Sequence, residues 1–251
     1  MIRTFARTLA PALALGTMLG GCNVSFGNNV SGVPLDELDR GGDAPVQITL
    51  AGPDEVVITE GETFSVTLDG DADAGEALRF DRDGNELTIA RDSDIWDGNG
   101  KAIVRITMPA PQELAIAGSG TIKSATVSPK AGLEIAGAGD IRVDKVNGES
   151  LSVEIAGSGD VVAAGSAKEL RVEIVGSGNV ALEKLSADDV RVEIAGSGDV
   201  ALASNGTVDV EIAGSGDVTV FGNAKCSLES AGSGSLTCKP ATKRAKSTAT
   251  K

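Results

Sequence analysis

A Gly-x-Gly corner recurs seven times along this chain. Its first glycines are Gly118, Gly137, Gly157, Gly176, Gly196, Gly214 and Gly232, spaced 18 to 20 residues apart. Around it the sequence nearly copies itself: VEIAGSGDV fills 153–161, 192–200 and 210–218, and VEIVGSGNV fills 172–180. Periods of this size belong to stacked architectures, because so short a unit cannot bury an apolar face by itself. Recurrence also argues against a single binding site, since every copy must play the same structural part.

Within each copy, apolar and polar residues alternate. Leu151, Val153 and Ile155 share one side, Ser152 and Glu154 the other, and Val161 restarts the apolar register beyond the glycines. Leu170, Val172 and Ile174 repeat the pattern, as do Val190, Val192 and Ile194. Alternation among β-branched residues predicts strands. Each copy therefore predicts two short strands joined by a corner, where glycine supplies positive φ without a steric penalty. Stacked in parallel about 4.8 Å apart, the copies become rungs of a β-helix. The expected fold is all-β, a single-stranded parallel β-helix over 45–238 with 18–20 residues per rung. The segment 45–117 lacks the corner motif but alternates in short runs such as Val46/Ile48/Leu50 and Phe64/Val66/Leu68. Read as irregular first rungs, it brings the total to about ten; an independent β domain is the alternative. DRDGNEL, at 81–87, predicts a turn at its Asp-Gly pair.

Residues 1–22, MIRTFARTLAPALALGTMLGGC, combine Arg3 and Arg7 with an apolar run too short to span a bilayer. The end of this leader resembles a bacterial lipobox, which implies a lipid anchor on Cys22. An ordinary secretion signal is the alternative. Asn23, where inner-membrane lipoproteins carry Asp, implies outer-membrane placement by the same resemblance. Residues 23–44 read as a flexible polar tether. Residues 239–251 hold five Lys/Arg and no acid, and read as a disordered, solvated basic tail. In an exported, oxidising setting Cys226 and Cys238 suit a local disulfide, with two free thiols as the alternative.

Composition narrows the function. The chain has 36 Asp and Glu against 22 Lys and Arg, which disfavours nucleic acid as a partner. With no His, no Tyr and one Trp, it lacks the commonest general base and offers few stacking platforms. Gly-Ser-Gly leads into a strand with no Lys behind it, so no phosphate loop is expected. Asp69–Gly75 fails as an EF-hand, because Ala74 and Phe80 stand where Gly and Glu are required. Asp92, Asp94 and Asp97 surround Trp96, a turn with a packed ring or, alternatively, a binding loop.

Two acidic columns follow from the repeat. Asp140, Asp160, Asp199 and Asp217 fall just after the corner and resemble half of a calcium β-roll motif. Thr121, Asn179 and Ser235 interrupt that column. Corner residues bonded to nearby backbone are the simpler reading, so no cofactor is expected and calcium is the alternative. Glu134, Glu154, Glu173, Glu193, Glu211 and Glu229 form the second column, facing away from the core. Stacked about 5 Å apart they repel by about 1 kcal/mol each or more. Arg142, Arg171 and Arg191 are expected to offset part of this. The column is either a solvated face that discourages aggregation or an acidic surface for a partner.

The export signal, the irregular β-rich start and the serial IAGSGD repeats resemble the bacterial head GIN domain family of auto-transporter adhesins. The resemblance spans about 45–238. It implies a right-handed parallel β-helix on the exported side of the envelope, and it supplies no catalytic residues. The expected function is a non-enzymatic envelope lipoprotein, anchored through Cys22, that presents an acidic face to a macromolecular partner, protein or glycan. A calcium-binding repeat protein and a polysaccharide-active enzyme are the alternatives.

Overall fold

The computed structural model describes residues 32–92, 94–95 and 100–240. The leader with Cys22, the first part of the tether, Trp96, Asp97 and the tail from 241 onward lie outside the described residues.

The chain is all-β, and its repeats wind into a solenoid of about seven turns. The first turns are β7 (Glu113–Gly118) with β8 (Thr121–Thr126), then β9 (Lys130–Gly137). The strands β10 (Asp140–Gly157), β11 (Asp160–Gly176), β12 (Asn179–Gly196) and β13 (Val200–Gly214) are long and bent, each serving two faces. β14 (Asp217–Phe221), β15 (Lys225–Gly232) and β16 (Ser235–Lys239) complete the stack. All these neighbours pair in parallel. The strands before each corner build one face, and those after it build the opposite face. A short third side joins them, pairing Gly165–Ser166–Ala167 with Val146–Asn147–Gly148 and with Leu185–Ser186–Ala187.

Register explains how a period of 18 to 20 is tolerated. The corner column runs without a slip through Gly137, Gly157, Gly176, Gly196, Gly214 and Gly232. The register shifts instead near the third side, between Val143 and Val146 and between Leu182 and Ser186. Extra residues are thus absorbed where backbone rise is free to vary. Gly157 shows why the corner is not. Its φ is 142°, and a Cβ there would lie 2.0 Å from the Gly137 carbonyl oxygen. Gly159 turns inward, where a Cβ would meet Gly139 O at 2.2 Å and Ile135 Cγ2 at 2.8 Å. The core is the alternating set named from sequence, with Val153, Val161, Val172 and Val192 fully buried. Each such side chain contributes about 1.5–3 kcal/mol of burial.

The expected ten rungs become about seven consecutive turns, because 45–117 does not stack in chain order. β1 (Gln47–Ala51) and β2 (Glu55–Glu60) form a layer against β7 and β8. The chain then passes through β3 (Ser65–Gly70), the short helix α1 (Ala72–Glu76) and β4 (Leu78–Asp83). It next lays β5 (Glu86–Arg91) and β6 (Ala102–Met108) on the outer side of β1 and β2. The first layer in sequence is therefore second in space. β3 and β4 pair antiparallel with β6 and β5 and close this end. The Asp-Gly turn joins β4 to β5, with Gly84 at φ +55°.

A buried ion pair locks these layers. Asp54 receives Arg91 through Nε at 2.6 Å and Nη2 at 2.5 Å, and it accepts the Ala102 N–H at 2.8 Å. Of the segment read as tether, the described part is docked. Leu38 is buried, Val33 bridges to Phe80, and Arg82 donates to the Asp39 and Gly41 carbonyls at 2.9 Å each. The failed EF-hand stretch ends β3 and starts α1, whose N-cap is Asp71.

Candidate interaction face

The face built by strands before the corner carries its outward side chains in straight columns. One runs Thr88, Thr49, Ala115, Glu134, Glu154, Glu173, Glu193, Glu211 and Glu229. All six glutamates expected to align are brought together in strict register. The adjacent column runs Glu86, Gln47, Glu113, Gly132, Ser152, Arg171, Arg191, Asp209 and Ser227.

The pairing of these columns divides the face. Toward the C-terminal end the arginines bridge successive glutamates. Arg171 lies 3.4 Å from Glu173 and 3.0 Å from Glu193. Arg191 lies 2.8 Å from Glu193 and 2.7 Å from Glu211. The hydrogen bond from Arg191, with the Arg171 charge adding to it, holds Glu193 below the usual carboxylate range against a partial burial that works the other way. The same hydrogen bond raises the Arg191 guanidinium.

Toward the N-terminal end the partners are neutral. Glu86 accepts from Thr49 Oγ1 at 2.8 Å and from Thr88 Oγ1 at 3.2 Å. Glu113 accepts from Gln47 Nε2 at 3.3 Å, and Glu154 from Ser152 Oγ at 3.3 Å. Among the described residues no Lys or Arg forms an ion pair with Glu86, Glu113, Glu134 or Glu154. Partial burial pushes the Glu113 carboxyl up, and the charges of Glu134, Glu86 and Glu154 push it further. Glu134 is raised by burial and then by Glu154.

Sequence reading missed Glu86, which sits outside the repeat and joins the cluster only because β5 and β1 continue the same sheet, and Glu113, which stands five residues before Gly118 as Arg171 does before Gly176. It also misplaced Arg142. That side chain follows its corner, so it lies on the opposite face, 3.4 Å from Asp140. Its position after Gly-Ala-Gly was the signal, since Arg171 and Arg191 precede theirs.

The aspartate column stands at the other side of the corners and is knitted to itself. Asp160 accepts from Asn179 Nδ2 at 3.0 Å, and Asp217 from Ser235 Oγ at 2.6 Å. Asp199 accepts the Asp217 backbone N–H at 2.9 Å. The interrupting Asn and Ser are thus donors to the carboxylate of the preceding turn. Among the described residues no three His, Cys, Asp or Glu side chains gather as a metal site. At the terminal turn Cys226 and Cys238 form a disulfide between β15 and β16. Asp92, from the acidic loop, pairs with Arg79 at 3.1 Å.

A family model described as "Putative auto-transporter adhesin, head GIN domain" matches residues 44–224. The chain belongs to this family. Solved structures share the fold. A "putative adhesin" from Bacteroides fragilis aligns with a TM-score of 0.71 at 19% identity, over 78% of this chain and 93% of that one. A "putative adhesin" from Parabacteroides distasonis gives 0.62 at 18% identity, over 80% and 94%. A "putative lipid binding protein" from the same species gives 0.59 at 20% identity, over 78% and 93%. Comparison with curated proteins found no match. The family and these structures are described as adhesin or lipid-binding, not as enzymes.

Proposed function

We propose that this head GIN domain chain is a non-enzymatic binding module of the cell envelope, tethered through Cys22, that meets a cationic macromolecular partner with the N-terminal half of its glutamate face. One observation carries the reading. Glu86, Glu113, Glu134 and Glu154 form a contiguous carboxylate cluster that the chain's own arginines leave unneutralised, whereas Arg171 and Arg191 pair with Glu173, Glu193 and Glu211 further along the face. Like charges held together on a surface attract a cationic partner and speed its encounter, with strong salt dependence.

The test uses polylysine as the probe, titrated calorimetrically into the full chain at low and physiological salt. E113Q/E134Q/E154Q is expected to weaken binding about tenfold, and E173Q/E193Q/E211Q by less than about twofold. Equal losses from the two triples contradict the reading. Protease accessibility on intact cells then reports whether the face is presented outward.

A further inference from the structure

The two ends of the solenoid are finished differently. At one end β3 and β4 cover the outer edges of β6 and β5. At the other end, among the described residues, β15 pairs only with β13, and β16 only with β14. The core reaches solvent there. Val210 is 2% exposed, but Leu228, its successor one turn on, is 40% exposed. Cys226 and Leu236 are half-buried.

The free edge has a defined hydrogen-bonding pattern. In β16, Ser235 donates its N–H to Gly216, and Lys239 accepts from the Gly222 N–H. Odd-numbered residues thus turn their backbone groups toward the stack, and Leu236 and Cys238 turn theirs to the open edge. In β9, Gly132, which shares a column with Ser227, donates to Gln112 of the preceding turn. By that equivalence Ser227 and its odd neighbours are used by β13, and Cys226 and Leu228 face the open edge.

We propose that this edge binds a second copy of the chain about a two-fold axis through Ser227 and Thr237. Antiparallel self-pairing of β15 centred on Ser227 sets Lys225 opposite the second copy's Glu229, and Glu229 opposite its Lys225. Both side chains face outward, at non-hydrogen-bonded positions, where cross-strand side chains come closest. Cys226 and Leu228 become the hydrogen-bonded pair, matching the backbone groups left free. The same axis serves β16. The disulfide sets Cys226 across the core from Cys238, so counting along both strands sets Ser227 across from Thr237. Centred on Thr237, Leu236 meets the second copy's Cys238, again at free-edge positions. The contact extends the core of one copy into the other and satisfies both edges at once. An isologous surface of this kind is self-complementary by construction. One turn is a small interface, so the association is expected to be concentration-dependent.

The experiment is sedimentation equilibrium of the full chain in detergent over micromolar concentrations. The unmodified chain is expected to form dimers. K225E and E229K are each expected to raise the dissociation constant about tenfold, because like charges then face each other twice per dimer. The double swap K225E/E229K is expected to return it to within about twofold. A chain that stays monomeric throughout overturns the proposal, as does a dimer indifferent to the single swaps. So does a monomer whose β15 and β16 amides resist hydrogen exchange until 241–251 is deleted, since the tail is then the occupant.

Discussion

Glu134 and Glu193 occupy one column of one sheet, three turns apart, yet meet opposite surroundings. Glu134 is partly buried and feels the charge of Glu154, and Glu193 is held between two guanidiniums. The backbone treats them alike; the neighbouring column does not. Gly132 and Ser152 leave the first half uncompensated, while Arg171 and Arg191 compensate the second. A repeat fold therefore sets where side chains stand and leaves their electrostatics to single substitutions. The chain is also built in two ways. Residues 45–117, at one end, are layered out of chain order around a buried ion pair, and the repeats that follow wind in sequence and end in a disulfide.

The largest effect is expected in the layered half. Asp54→Ala strands Arg91 without its carboxylate and is expected to cost about 3–5 kcal/mol. Arg191→Ala, which removes solvent-screened pairs in the wound half, is expected to shift the midpoint far less. Urea denaturation measures both, and comparable losses break the distinction. Next comes the disulfide. C226S/C238S is expected to remove about 3 kcal/mol of local stability. Hydrogen exchange should then show β15 and β16 losing protection while β12 keeps it. Global unfolding would mean that the stack depends on its last turn.

The smallest effects have opposite signs. Glu134 has a raised carboxyl, so its favourable contribution is present below the ordinary carboxylate value and is lost as pH rises through the folded value. Glu134→Gln is therefore expected to stabilise the chain at neutral pH by a few tenths of a kcal/mol, a gain that vanishes in acid. Glu193 has a lowered carboxyl, so its contribution is present above the ordinary value and is lost as pH falls through the folded one. Glu193→Gln is expected to destabilise at neutral pH by a similar few tenths. Melting temperatures at neutral and acid pH check both signs.

The repeat made the wound half legible. Alternation told Val153 and Ile155 from Glu154, and the spacing placed all six glutamates in a line. Local patterning says which side a residue faces, not which strand lies beside it. The runs in 45–117 therefore announce strands but not the order in which those strands stack. The order depends on long-range pairing, with β1 lodged between β5 and β7. Asp54–Arg91 spans 37 residues with no motif to announce it. Glu86 stayed hidden for the same reason, since its membership in the cluster is a property of the sheet. Leu38 and the backbone bonds from Arg82 show a polar, aperiodic segment docking by carbonyl groups, which side-chain patterns do not encode.

Carboxyl-carbon NMR titration of the glutamates, with Glu134 and Glu193 assigned by Gln substitution, tests the division of the face most directly. The expected result is a Glu134 midpoint above the ordinary glutamate value and a Glu193 midpoint below it. Coincident midpoints, or the reverse order, would contradict it.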